Sequence, residues 1–93
     1  GSAARVFAAH NPNLAPGAFT PADLDQVRAT GLAESVSERE VGLASLSCPV
    51  FDSNGSMIAV LSISGAAERL RPHPAALWGS ELIDAADRLG ALL

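Results

Sequence analysis

The run from Gly42 to Gly65 constrains this chain most: two apolar stretches, Leu43 to Phe51 and Ser56 to Ser64, separated by Asp52-Ser53-Asn54-Gly55. Asn-Gly between two such runs is a strong hairpin signal, because both central residues of a type I′ turn need positive φ. If Asn54 and Gly55 form a two-residue turn, Ser47 lies opposite Ser62 and Ser45 opposite Ser64. Directly opposed residues of an antiparallel pair share a face. The four hydroxyls therefore form one patch, bordered by Pro49, Val60, Phe51 and Ile58. Leu46, Cys48, Val50, Ala59, Leu61 and Ile63 then make the other face uniformly apolar. A slip of one residue would set Leu46 against Ser62 and mix both faces, which burial of one face forbids. A four-residue loop pairing Ser45 with Ser62 also keeps the serines together.

Other elements surround this hairpin. Ala3 to Ala9 is short, alanine-rich and helix-compatible, and the breakers Asn11, Pro12, Asn13, Pro16 and Gly17 then predict a loop. Thr20 as a cap, Pro21 in the first turn, Asp23 three residues after Thr20 and Gly31 as a stop predict a helix over 21–30, with Leu24 and Val27 facing in. Leu32 to Ser37 reads as a third strand, ahead of the hairpin. After a short Ala-Ala-Glu-Arg-Leu turn and Pro72 and Pro74, Ala75 to Leu92 repeats apolar residues at Trp78, Leu82, Ala85, Leu89 and Leu92. That spacing predicts an amphipathic helix anchored by Trp78. The chain thus reads helix, helix, three strands, helix: an α+β fold.

Composition excludes several functions. With 93 residues, 48% hydrophobic and 17% charged, the chain is globular and builds one modest core. A formal charge of −4, with six scattered arginines and no lysine, gives no basic face for nucleic acid; the longest charge-rich run is Ser37-Glu38-Arg39-Glu40. One cysteine and no long apolar stretch point to the cytoplasm. Catalysis lacks candidates, since Cys48 falls on the apolar face and His10 and His73 show no ligand-like spacing; neither a metal nor a cofactor is expected. The opening Gly1-Ser2 has the form of a cloning remnant and is given no role.

What remains is the hydroxyl patch. Neutral donors beside apolar walls suit a small anion or polar metabolite, because hydroxyls rotate to donate to a carboxylate and leave no buried charge when the site is empty. Alternating serines are also the ordinary wet face of an antiparallel sheet. The residues by themselves leave both readings open.

The same residues carry a resemblance. Gly42-Leu43-Ala44-Ser45-Leu46-Ser47-Cys48-Pro49-Val50-Phe51-Asp52, then Asn54-Gly55, then Ile58-Ala59-Val60-Leu61-Ser62-Ile63-Ser64-Gly65 and Arg69-Leu70, resembles the core of the effector-binding domain of IclR-type transcriptional regulators. The flanks agree, with a preceding helix ending at Arg28 to Gly31 and a terminal helix carrying Ala85-Ala86 before Leu89-Gly90. The resemblance implies a GAF-like or profilin-like antiparallel sheet with packed helices, and an effector pocket over one face. It places Ser62 and Ser64 on the pocket's Ser-x-Ser pair and Ser45 on a small polar position of the neighbouring strand. Ser47 joins them from the hairpin geometry. Ser35 stands where some members carry an acidic contact, and Ala3 and Ala4 match a small-residue segment beside the ligand, with Arg5 for the usual lysine.

Members place two or three strands ahead of the alanine-rich helix. The resemblance therefore implies that residues 1–93 are a single effector-binding domain lacking its N-terminal strands, a fragment or a shortened relative. The implied ligand is a small carboxylate or aromatic acid. The implied assembly is a homodimer or tetramer, with DNA contacted only through a helix-turn-helix that these residues do not contain. A dimerisation module that binds no ligand is the alternative.

Overall fold

The computed structural model describes residues 2–11, 13, 17, 19–37 and 42–93. In chain order the elements are α1 (Ser2–His10), α2 (Pro21–Thr30), β1 (Ala33–Val36), β2 (Leu43–Phe51), β3 (Met57–Ala66), the single turn α3 (Ala67–Leu70) and α4 (Pro74–Leu92). The strands form one antiparallel sheet in the order β1-β2-β3. Helices α1 and α2 cover one face and α4 the other, so the architecture is α+β as expected, with the turn α3 added. Of the expected loop after α1, Pro12 and Pro16 lie outside the described residues. So do Gly1 and the charge run's Glu38, Arg39 and Glu40.

Local chemistry sets the element ends. At α2, Thr20 Oγ1 accepts from Asp23 N at 3.1 Å while Thr20 N donates to Asp23 Oδ2 at 3.0 Å, a reciprocal capping box with Pro21 inside the first turn. Gly31 ends the helix in the left-handed region at φ 75°, where its N–H reaches Val27 O at 2.8 Å. At the start of α4, Glu34 of β1 supplies the acceptors: Oε2 takes the Ala75 N–H at 3.0 Å and Oε1 lies 3.0 Å from His73 Nδ1. That carboxylate ties the helix N-terminus to the sheet.

Between β2 and β3 the turn differs from the expected two-residue form. Asp52 Oδ1 accepts from the backbone N–H of both Asn54 and Ser56, Gly55 N donates to Asp52 O, and of the Asn-Gly pair only Gly55 has positive φ, 80°. This is a three-residue hairpin loop, favoured here because Asp52 collects N–H groups that a tighter turn would not present to it. The pairing then shifts between Val50 and Phe51, so that Phe51 faces Met57 and not Ile58. Beyond this irregularity the expected register returns: Val50 faces Ala59, Pro49 faces Val60, Ser47 faces Ser62 and Ser45 faces Ser64. The bulge absorbs the extra turn residue. The register is decided by the apolar face, which cannot be turned outward without losing its burial.

That face is the main core, where Leu46, Cys48 and Val50 pack against Leu82 and Ala86 of α4, with Leu61 and Ile63 beside them. A second core joins α1, α2 and β1 through Val6, Ala9, Leu24, Val27 and Ala33, which places Leu24 and Val27 inward as expected. Helix α4 corrects one expectation. Trp78 is 48% exposed and anchors nothing in the core; the buried line is Pro74, Gly79, Leu82, Ala86 and Gly90. Small residues let α4 lie close on the sheet. A Cβ on Gly90 would stand 2.1 Å from Phe51 O, leaving no space there for any side chain.

Candidate functional site

On the face away from α4, alternation brings small polar residues into two adjacent rows. Ser35, Ser45 and Ser64 lie side by side across the three strands, and Ala33, Ser47 and Ser62 form the next row. Helix α1 packs across this face, with Val6 and Ala9 turned toward the sheet and α2. Its first residue, Ser2, falls on the same helix side by the i, i+4, i+7 rule and is buried with them.

Ser2 completes a chain of hydroxyls. Its Oγ lies 2.6 Å from Ser45 Oγ and 2.7 Å from Ser47 Oγ, and Ser47 Oγ lies 2.6 Å from Ser62 Oγ. The order is Ser45, Ser2, Ser47, Ser62. Three contacts among four hydroxyls use three of the four protons, so in a head-to-tail arrangement one O–H at an end remains to donate outward. Either direction satisfies every inner oxygen. Burial runs along the chain: Ser2 and Ser47 are buried, Ser45 is half-buried and Ser62 is exposed. The free donor therefore emerges toward solvent at Ser62 or at Ser45.

Of the residues expected at the site, Ser47 and Ser62 are joined directly and Ser45 joins them through Ser2. Ser35 is buried and Ser64 exposed, flanking Ser45 on either side, and among the described residues neither belongs to the bonded chain. Ala3 is half-buried next to Ser2, whereas Ala4 is exposed. Arg5 reaches across to β1, donating from Nη1 to Glu34 O at 2.7 Å, with its guanidinium 5.4 Å from the Phe19 ring centroid. Ser2 is the residue that sequence reasoning missed. Set aside as a cloning remnant, it nonetheless shares the spacing of Val6 and Ala9, and that periodicity was the available signal.

The remaining chemically versatile groups lie elsewhere. Cys48 is buried on the α4 face, where its thiol donates weakly to Leu82 O at 3.8 Å; burial, with Asp87 nearby, pushes its pKa up to about 11. His10 packs edge-on against Phe51, and burial, with Arg28 adding to it, lowers its pKa. His73 stays with Glu34. Among the described residues no three His, Cys, Asp or Glu side chains gather as a metal set, and no helix is long and apolar enough to cross a membrane.

An antiparallel sheet with helices on both faces and hydroxyls lining one of them defines an α+β domain, and the comparisons with known proteins name its family. Residues 17–91 match the family model for the C-terminal region of the bacterial transcriptional regulator IclR, and the chain belongs to that family. It is 42% identical over 50 residues to the HTH-type transcriptional repressor AllR of Klebsiella pneumoniae, a stretch covering 54% of this chain and 18% of that protein. The fold is similar to that of a double mutant of the PobR inducer-binding domain from Acinetobacter, solved with 3-hydroxybenzoic acid (TM-score 0.82, 22% identity, 100% of this chain and 65% of that one). It is also similar to Pseudomonas aeruginosa HmgR (TM-score 0.80, 30% identity, 99% of this chain and 42% of that one). The chain thus spans less than two thirds of each of these relatives.

Proposed function

We propose that this chain is the effector-sensing and self-associating part of an IclR-type regulator, and that its ligand sits at the serine face. The observation that supports this reading is the bonded chain Ser45, Ser2, Ser47 and Ser62, which leaves one O–H to donate outward at the Ser62 or the Ser45 end. A carboxylate placed there accepts a hydrogen bond from that O–H and, in doing so, orients all four hydroxyls in one direction. Ser64 and Ser35 extend the polar row, Val60 and Pro49 supply the apolar wall, and Ala3 keeps the helix start small enough for a ligand to approach. The chemistry suits small carboxylates and aromatic acids, and the similar PobR domain is one solved with such an acid.

Sensing works by population shift: the ligand favours one arrangement of the domain and hence of a homodimer or tetramer, and a helix-turn-helix outside these 93 residues meets DNA accordingly. In this reading the domain works in the cytoplasm, without cofactor or catalysis. A melting-temperature screen of benzoate, 3-hydroxybenzoate and short aliphatic acids tests it. Binding to the folded state raises Tm by linkage, about 2.7 kcal/mol of added stability at a hundred times Kd. The Ser62→Val/Ser64→Val double variant is expected to lose the shift; a shift that survives it overturns the site.

A further inference from the structure

Strand β2 runs further than the strand beside it. The pairing of β1 ends with Ala33 against Ser47, while β2 continues to Phe51, because the chain reaches β1 from α2 through the left-handed turn at Gly31. The edge of β2 beyond Ser47 is therefore bare on that side, and its Cys48, Pro49 and Phe51 form the floor of a cleft of about 200 Å³. Thr30 and Gly31, at the end of α2, make one wall, and Ile83, Ala86 and Asp87 of α4 make the other. The cleft contains none of the serines of the hydroxyl chain.

Its chemistry is the reverse of theirs. Pro49, Phe51, Ile83 and Ala86 are apolar, and the exposed residues at the rim are Thr30, Phe51 and Asp87. The two polar features there have one sign: the Asp87 carboxylate, and the carbonyl end of α2, which carries partial negative charge. Asp87 is felt inside the cleft, where burial first and that carboxylate second push the Cys48 thiol up. The described lining residues include no Lys, Arg or His to offset it. An anion is repelled, and a cation with an apolar body is favoured. The size suits a single ring, since an apolar cavity of about 150 Å³ takes up benzene.

We infer that this cleft binds a small organic ammonium ion, with its apolar body against Pro49, Phe51 and Ile83 and its charged end at Asp87. The remainder of a longer domain is the rival occupant, since the chain spans 65% of the similar PobR domain. The edge refuses a further strand: Pro49 has no N–H to pair with one, and Thr30 and Gly31 already stand across it. The site goes beyond the proposed function and does not depend on a ligand at the serine face.

Titration of the 93-residue chain with benzylamine, one ring protonated at neutral pH, tests the inference by NMR of the isoleucine methyl groups. Of the three isoleucines, Ile58, Ile63 and Ile83, only Ile83 lines the cleft. Its signal is expected to move at millimolar amine, the affinity so few non-hydrogen atoms sustain, while those of Ile58 and Ile63 stay in place. Benzyl alcohol, of the same size without the charge, is expected to bind roughly two- to five-fold more weakly, and Asp87→Asn to bring the amine to the level of the alcohol. Ile83→Trp fills the cleft and is expected to abolish the rise in Tm given by benzylamine, with circular dichroism as the folding control. The Ser62→Val/Ser64→Val variant is expected to bind the amine as wild type does. An Ile83 signal that does not move, or loss of binding in the serine variant, overturns the site. Equal binding of amine and alcohol, or indifference to Asp87→Asn, overturns the ligand class. On the longer regulator to which the chain is proposed to belong, the Tm response is expected to persist; its loss there gives the cleft to the rest of the domain and overturns the inference.

Discussion

The two faces of the sheet come from the same strands by strict alternation, yet they are held by opposite means. Against α4, the sheet offers Leu46, Cys48 and Val50, and the helix answers with glycine and alanine so that backbone approaches backbone. Against α1, the sheet offers hydroxyls, and the helix answers with another hydroxyl, Ser2. The first contact gains from excluded water and close packing, which tolerate no added volume. The second depends on directional bonds that re-form when a proton rotates. The packed face is fixed by shape, and the polar face by hydroxyls that can rotate.

The sharpest test of the packed face is a single methyl group. Gly90→Ala puts a Cβ 2.1 Å from Phe51 O, a backbone atom, so α4 must move away from the sheet. A loss of about 3 kcal/mol or more is expected by urea denaturation. Gly79→Ala meets Leu32 Cδ1 at 2.8 Å, the end of a flexible side chain, with Ala75 Cβ at an ordinary 4.0 Å, and gains helix propensity. It is expected to stay within about 1 kcal/mol of wild type. Equal effects at the two glycines would show that α4 does not approach the sheet as described.

On the polar face the contrast runs along the hydroxyl chain itself. Ser47→Ala removes a fully buried hydroxyl that bridges Ser2 and Ser62, leaving Ser2 with one partner, and is expected to cost about 1–3 kcal/mol. Ser62→Ala at the exposed end is expected to change stability by no more than about 0.5 kcal/mol and, if the serine face is the proposed ligand site, to reduce the Tm shift given by benzoates. If Ser62 proves as costly as Ser47, the face is structural throughout.

The smallest effects come from pH, which addresses the two layers from opposite ends of the scale. In the α1–α2 layer, the Thr20 hydrogen bonds hold Asp23 below its usual 3.8, and burial holds His10 below 6.5. The unfolded chain takes up these protons before the folded one does. Their stabilisation is therefore full above those values and is lost as pH falls through the lowered ones. In the α4 layer, Cys48 stays protonated to about 11, so its contribution is full below 9.0 and is lost as pH rises toward 11. Melting curves of His10→Gln are expected to flatten the acid limb below pH 6.5, and those of Cys48→Ala the alkaline one. A variant that flattens the other limb would reverse the assignment.

Much of this was legible residue by residue. The α2 boundaries followed from Thr20, Pro21, Asp23 and Gly31, because capping is local chemistry. The serine register followed from the apolar residues alternating with it, even though the turn came out one residue longer and a bulge made up the difference. Two readings failed for one reason. The apolar spacing makes Trp78 the anchor of α4, and the form of Gly1-Ser2 leaves Ser2 without a role. Each depends on a partner far along the chain: the strand backbone at Phe51 that leaves room only for glycine at Gly90, and the strand carrying Ser45 and Ser47.

By itself, then, the sequence determined the elements, the pairing of the hairpin, the separation of an apolar from a hydroxyl face, and the family. Caps, alternation and register depend on residues close in the chain or directly opposed in one sheet. Tertiary structure alone decided which side of α4 turns inward, and that α1 closes over the serines with a hydroxyl of its own. Those choices depend on how near two backbones can approach, and on which polar groups then lose water and must find one another.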